Sequence, residues 1–266
     1  MTPSPPMSRQ QRRQAEREKA KRLAELKRAA PPPTQQALAG QAEVLLDILE
    51  QDRDGRRAGA TADAAHAGYE RSMKAHFRAD GLACRNGCAH CCHAYVSVSA
   101  PEALLAARAV RALPKKRRAA VIERVQATDT RTRGLPPEDR KGAGATPCPL
   151  LDPDTDACTV YAARPLSCRA ELSTDAEACA RMVQGLDAER LSPVLALRLK
   201  ILYSSALALA AKGVGLRAGV LEFNAALRIA LEGSDTEARW LAGEDLFAPA
   251  AVHDAARADI DRALSR

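Results

Sequence analysis

The chain has 266 residues, enough to bury a hydrophobic core, and 46% of them are apolar. Aromatic residues make up only 3%, so alanine and leucine supply most of the apolar surface, which favours closely packed helices. The net charge of +7 lies almost entirely in residues 1–30, which carry nine Lys or Arg and three Asp or Glu. The remainder is nearly neutral, which argues against a nucleic-acid-binding body with a basic face.

The basic N-terminal segment, residues 1–33, is predicted to be an extension that is either disordered or helical. It has little apolar content, and the three prolines at 31–33 end any helix there. A run of this kind is usually a solvated tail. The alternative is an arm that contacts nucleic acid or an acidic partner. We also expect the folded part to have a protein partner, whose identity this pattern does not specify.

No targeting or membrane-spanning segment is expected. The N-terminal residues lack the apolar stretch that follows the basic region of a secretory signal. The most apolar stretch, residues 194–211, is interrupted by Arg198 and Lys200, so no transmembrane helix and no membrane contact are predicted. We therefore expect a cytoplasmic protein. Thiols stay reduced there, so a dense group of cysteines indicates metal binding or catalysis rather than disulfides.

Two helices are predicted before the first cysteine. Leucine and alanine recur at helical spacing between Leu38 and Leu49, and a second helix is predicted over residues 61–79. His66 lies on the apolar stripe of the second helix. A histidine in such a stripe is more often a packed side chain than a ligand, and that is the interpretation we favour.

Four cysteines fall within nine residues: Cys84, Cys88, Cys91 and Cys92. The C-x2-C pair lets two sulfurs reach one metal, and the intervening Asn86-Gly87 suits a sharp turn that exposes N–H groups to sulfur. The side chains of the adjacent pair, residues 91 and 92, are expected to diverge. One would then bind the metal while the other packs or binds a second centre. This favours a cluster or a two-centre site over a simple zinc finger.

A short strand at residues 95–99 is predicted to lead into two helices. Ser99 and Glu102 have the spacing of a capping box, and the helix behind them ends at Pro114. A basic quartet at residues 115–118 opens the next helix and is expected to be a solvated face. A loop is predicted over residues 129–147.

The second cysteine group comprises Cys148, Cys158 and Cys168, and Cys179 follows in a helical stretch. Two short apolar runs flank a Pro-Asp-Thr-Asp turn, so a small β-hairpin is predicted between residues 148 and 161. All eight cysteines are candidate metal ligands. Simple burial of a small thiol is the alternative, and it has most weight for Cys179.

Charged and aromatic residues near the cysteines have two interpretations each. Arg164 and Arg169 are expected either to offset the negative charge of a thiolate-bound metal or to pair with the acidic residues at 152 and 156. His90 and His93 could supply nitrogen ligands, but we favour a packing or supporting role because cysteine already suffices.

The rest of the chain is predicted to be helical and contains no cysteine after residue 179. Ser192-Pro193 indicates a helix start, and another helix is predicted over residues 220–231. The predicted fold class is therefore mostly α: a helical domain around a cysteine-rich metal-binding centre with one small β-hairpin. The predicted divisions are 1–33, the extension; 34–232, the metal-binding domain; and 233–266, a helical tail.

The order of the motifs resembles the YkgJ-type cysteine-cluster family of zinc- or iron-chelating proteins. Cys84-x3-Cys88-x2-Cys91-Cys92 is followed by Cys148-Pro149, Cys158-Thr-Val-Tyr and Arg164-Pro-x2-Cys168-Arg169. The resemblance covers roughly residues 80–180. That family includes flagellin lysine-N-methylases, which carry an iron–sulfur cluster.

The expected cofactor is an iron–sulfur cluster, with 4Fe–4S as the first expectation, or zinc. The expected function is a redox, iron-handling or cluster-dependent module. The alternative, implied by the resemblance, is an iron–sulfur-dependent protein lysine N-methyltransferase-like enzyme. No Gly-rich S-adenosylmethionine loop follows a predicted strand, and the chain has too few predicted strands for the barrel of radical enzymes.

Overall fold

The computed structural model describes residues 35–51, 55–77, 81–140, 145–186, 188 and 192–252, together with isolated positions before residue 18. The predicted extension at 1–33 therefore lies almost wholly outside the described residues. Residues 253–266 of the predicted C-terminal tail lie outside them as well.

The described part of the chain is mostly helical, which confirms the predicted fold class. Its α-helices are α1 (Gln35–Glu50), α2 (Arg57–His76), α3 (Ala100–Arg111), α4 (Lys115–Thr132), α5 (Leu166–Ala170), α6 (Ala176–Val183), α7 (Val194–Gly213), α8 (Phe223–Glu232) and α9 (Thr236–Leu241). Its short 3-10 turns are His90–His93, Pro137–Arg140, Tyr161–Ala163 and Ala248–Ala250.

One small antiparallel sheet is formed by β1 (Ser97–Val98) and β2 (Leu221–Glu222). The strand predicted at 95–99 is thus present, and its partner comes from a distant part of the chain. The predicted hairpin at 148–161 is a tight reversal with a single antiparallel bridge between Leu151 and Cys158. Prolines at 149 and 153 cannot donate ladder hydrogen bonds, which keeps this reversal from extending into paired strands.

Several predicted boundaries differ from the structure, among them that of the second helix, which is predicted over residues 61–79 and begins at Arg57. The loop predicted from residue 129 begins only after Thr132, because α4 continues that far. Asp129 is buried, and its carboxylate forms an ion pair with Arg228, whose Nε lies 2.8 Å from Oδ2. This ion pair holds the last turn of α4 against α8. The helix predicted over 220–231 begins at Phe223, because the two residues before it pair with β1.

Two clusters of buried side chains form the core. One lies where α3, α4 and α8 meet and includes Leu104, Phe223 and Trp240. The other lies among α1, α2 and α7 and includes Leu45 and Leu207. Alanines occupy many of the contact positions in both clusters, which lets helices approach closely. This is the packing that the aromatic-poor composition predicts.

By length and composition alone, α7 is the one described helix that could cross a membrane. Half of its most apolar stretch is buried inside the structure, where it packs against α1, α2 and α5. Buried core helices share this composition, and most of the buried side chains of α7 belong to the second core cluster.

Glu102 is a buried carboxylate that joins three parts of the fold. Its Oε2 accepts hydrogen bonds from the N–H and the hydroxyl of Ser99, both at 2.8 Å, which forms the predicted capping box of α3. Its Oε1 accepts the N–H of Leu166 at 2.8 Å and lies 3.4 Å from His66 Nε2. The side chain thereby fixes the starts of α3 and α5 against α2. His66 is itself buried, as predicted.

The pKa of Glu102 is lowered overall. Burial by itself raises it, but the hydrogen bond and charge of His66 and the N–H groups of Ser99 and Leu166 together outweigh burial. The carboxylate is therefore ionised in the folded protein, and its stabilising effect depends on staying so.

Glu102→Gln should lower the free energy of unfolding at pH 7 by about 3 kcal/mol, because an amide cannot accept all of these hydrogen bonds. The pKa of Glu102 is lower in the folded protein than in the unfolded chain, where it is about 4.3. Such a group stabilises the folded state at pH values above the unfolded pKa, and this stabilisation is lost as the pH falls through the folded pKa. Urea titrations of wild type and Glu102→Gln should therefore show the full difference in unfolding free energy at pH 7 and a progressively smaller difference below about pH 4.3. Glu123→Gln, on the exposed face of α4, is the matched control and should change little. Equal effects of the two substitutions would contradict this role.

Candidate metal centre

Three separate segments bring seven cysteines around one cavity of about 250 Å³. The segments are the 84–92 loop, the 148–158 reversal and α5. The seven cysteines are Cys84, Cys88, Cys91, Cys92, Cys148, Cys158 and Cys168. The two groups that the sequence places about 60 residues apart thus converge as predicted.

A turn at Gly87 shapes the 84–92 loop. Gly87 has φ +83°, in the left-handed region, and the N–H of Cys88 donates to the carbonyl of Arg85 at 3.1 Å. The next turn, His90–His93, is a 3-10 helix in which the N–H of Cys92 donates to Ala89 O at 2.9 Å. Two tight turns in succession therefore place four sulfurs within a short length of backbone.

Backbone hydrogen bonds attach the second cysteine group to the first. The N–H of Cys148 donates to the carbonyl of Cys92 at 2.7 Å, and the Leu151–Cys158 bridge brings Cys158 back beside Cys148. Cys168 reaches the cavity from α5. Its preceding residue, Ser167, donates its hydroxyl to Ser97 O at 2.6 Å.

A second cavity, of about 400 Å³, adjoins the first. Cys179 on α6 lines this second cavity and is not among the cysteines of the first. Its wall also includes the imidazoles of His90 and His93, which do not line the first cavity. Three cysteines border both spaces: Cys84, Cys88 and Cys91.

Ser173, which the sequence analysis did not single out, lies between two of the cysteines. Its N–H donates to Cys84 Sγ at 3.2 Å, and its carbonyl accepts the N–H of Ala83 at 2.9 Å. Its hydroxyl donates to the carbonyl of Asp175 at 2.9 Å and accepts the N–H of Asp175 at 3.0 Å, at the N-cap of α6, the helix that carries Cys179. The residue is only 1% exposed. A Ser that precedes a helix by three residues carries no ligand signal in a single sequence, so only the fold reveals it.

The two arginines predicted to act at the centre differ in position. Arg164 lines the seven-cysteine cavity, stacks 3.9 Å over the ring of Tyr161, and has a buried Nε with no acceptor among the described residues. Arg169 instead pairs with Glu70 on α2 and donates to backbone carbonyls. The alternative, in which these arginines pair with the acidic residues at 152 and 156, is not formed at Asp152, because Asp152 accepts a hydrogen bond from Arg117 at 2.8 Å.

Burial raises the pKa of most of these thiols. It raises that of Cys148 to about 12 and that of Cys168 well above its ordinary value. For Cys92 the largest cause is a hydrogen bond with Cys91, and burial adds to it. Burial thus favours the protonated form of the thiols whose pKa is raised, and metal binding must release their protons.

The donor set fits a thiolate-bound metal. Cysteine sulfur selects zinc, copper(I) and iron–sulfur clusters. Among the described residues, no three Cys, His, Asp or Glu side chains converge on one ion-sized point, so the sulfurs enclose a space instead. Thiolate and sulfide ligands accept hydrogen bonds, and the buried Nε of Arg164 and the N–H of Ser173 are donors of this kind.

Gly87→Ala should weaken both the fold and metal binding, because a side chain at φ +83° costs roughly 1–2 kcal/mol in the turn that positions Cys88. Thermal unfolding and metal content of the purified protein are the measurements. Gly40→Ala is the matched control, because its added Cβ meets open space on helix α1, where alanine should stabilise by about 0.5–1 kcal/mol. A Gly87→Ala protein with undiminished metal content and unfolding temperature would show that the turn is not required.

Residues 83–184 match the model of a cysteine-motif family, CxxCxxCC, described as "Putative zinc- or iron-chelating domain". The matched range contains all eight cysteines. No curated protein and no solved structure matches the chain significantly.

Proposed function

We propose that the chain binds an iron–sulfur cluster and acts as a redox or iron-handling module, and the match of residues 83–184 to a zinc- or iron-chelating domain model supports this. The observation that carries this proposal is the seven-cysteine cavity, which supplies more thiols than one tetrahedral zinc ion accepts.

The surroundings of the sulfurs support a cluster rather than a single structural zinc. An enclosed group of thiolates builds up negative charge, and two cationic side chains, Arg85 and Arg164, line the same cavity. The Nε of Arg164 is buried without an acceptor among the described residues, which is costly unless a ligand accepts a hydrogen bond from this N–H group. A thiolate or a sulfide ion at this wall would satisfy that donor.

A bound cluster would supply one-electron redox chemistry, at a potential set by its charge, its solvent exposure and the hydrogen bonds to its sulfurs. The chain controls these factors through its own residues. Leu150 and Phe223 are almost fully buried at the cavity wall and exclude water, while Arg164 contributes positive charge. The N–H of Ser173 donates to one of the sulfurs, that of Cys84.

Protein purified without oxygen should contain iron together with an equivalent amount of acid-labile sulfide, and should show a broad visible absorption that dithionite bleaches reversibly. Cys168→Ser, which removes a candidate ligand from the cavity wall, should lose a large part of that absorption. Ser204→Ala on α7 lies away from the cysteines and should retain it. Zinc without sulfide would overturn the iron–sulfur proposal in favour of a structural zinc site. Free thiols with neither metal would overturn metal binding itself.

Arg164→Gln should lower the reduction potential by roughly 50 mV, because removing a nearby positive charge disfavours the more negative, reduced state. Arg164→Lys keeps the charge but loses the planar N–H group, so its reduction potential should lie between those of wild type and Arg164→Gln. Potentiometric titration of the anaerobically purified proteins makes the comparison. An unchanged potential in Arg164→Gln would show that this side chain does not act on the centre.

The lysine N-methyltransferase alternative stays a prediction. It requires S-adenosylmethionine binding, which isothermal titration of the metal-loaded protein would detect. The described residues offer no specific observation that favours it over the metal-binding module.

A further inference from the structure

The eight cysteines do not share one environment. Four of them border only the 250 Å³ cavity, which we call the inner cavity: Cys92, Cys148, Cys158 and Cys168. Cys179 borders only the adjoining 400 Å³ space, which we call the outer cavity. The other three stand in the wall between the two spaces: Cys84, Cys88 and Cys91.

Hydrogen bonds divide the cysteine segments in the same way. On the inner side, the N–H of Cys148 is bonded to Cys92 O, and the Leu151 bridge draws Cys158 beside them. On the outer side, Ser173 donates its N–H to Cys84 Sγ at 3.2 Å and is bonded through its carbonyl to Ala83. Ser173 also precedes α6, which carries Cys179 and packs against the 90–93 turn.

The adjacent cysteines stand where the two cavities meet. Cys91 lines both spaces, whereas Cys92 lines only the inner one. Neighbouring residues can hardly serve one tetrahedral centre without strain, but they can each supply one sulfur to centres on either side of the wall. This assignment gives every sulfur a place and leaves four on each side, the number that tetrahedral zinc and four-iron clusters both use.

We propose that the eight cysteines form two adjacent four-sulfur metal centres, an outer one held by Cys84, Cys88, Cys91 and Cys179 and an inner one held by Cys92, Cys148, Cys158 and Cys168. The two-centre division shares one premise with the proposed function, namely that the cysteines bind metal. The division of the sulfurs is the same for iron–sulfur clusters and for zinc.

The two centres differ in their surroundings. The inner wall includes the buried side chains of Leu150 and Phe223. The outer wall includes the two imidazoles of the 90–93 turn and Met182, which is 41% exposed. The outer centre is therefore the one that solvent, chelators or a partner protein reach first. In the wild-type protein, metal should leave in two kinetic phases of similar amplitude when a chelator is added.

The decisive experiment loads full-length protein anaerobically with ferrous iron and sulfide, and a parallel sample with zinc alone, and measures metal per chain by elemental analysis and native mass spectrometry. Cys179→Ser should lose roughly half of the metal and the fast chelator phase. Cys168→Ser should lose roughly the other half and the slow phase. His93→Gln, which changes a side chain of the outer cavity without removing a sulfur, is the matched control and should keep both phases.

A second pair of variants tests which cysteines belong to each centre, so that the result does not depend on one substitution per centre. Cys84→Ser should match Cys179→Ser, and Cys148→Ser should match Cys168→Ser, with circular dichroism confirming that each variant is folded. If a folded Cys179→Ser protein keeps its full metal content, or if removing one sulfur abolishes all binding, the two-centre division is wrong while metal binding stands. A single chelator phase in the wild type would likewise overturn the division. Wild-type protein that takes up no metal at all would instead refute the proposed function.

Discussion

The buried carboxylate of Glu102 determines how the pieces of this domain meet. It accepts the N–H and hydroxyl of Ser99 at the start of α3 and the N–H of Leu166 at the start of α5, and it contacts His66 on α2. An ionised carboxylate is stable inside a protein only when such donors surround it. Because α5 carries Cys168, the same interaction that caps a helix also sets the position of a candidate metal ligand.

The cysteine segments have little apolar core of their own, and short hydrogen bonds hold them in place. The link between Cys148 and Cys92 and the link from Ser173 to Cys84 join three parts of the chain that are distant in sequence. In such an arrangement the free energy of metal binding adds to the free energy of folding. Most of these thiols have raised pKa values, so the bound metal must also displace protons that burial otherwise retains.

Two adjoining cavities explain features that a single site leaves without a role. Cys179 lies outside the seven-cysteine cavity, yet Ser173 ties its neighbourhood to Cys84. Cys91 lines both cavities and Cys92 lines only the inner one, so the adjacent pair lies at the wall that the cavities share. An exposed outer centre beside an enclosed inner one would suit a module that passes metal or electrons between a partner and a protected site.

The sequence by itself determined the residue types and the local structure of the centre. Helical spacing and the Ser99–Glu102 capping box predicted helices whose positions the structure confirms, because these signals act between near neighbours. The density and order of the cysteines predicted a metal-chelating domain, since that chemistry depends on the kind of donor atom. Only the tertiary structure decided the rest. Which cysteines share a cavity, why Arg164 faces the sulfurs while Arg169 turns to Glu70, and how Ser173 comes to touch Cys84 all depend on contacts between distant segments, which no local pattern encodes.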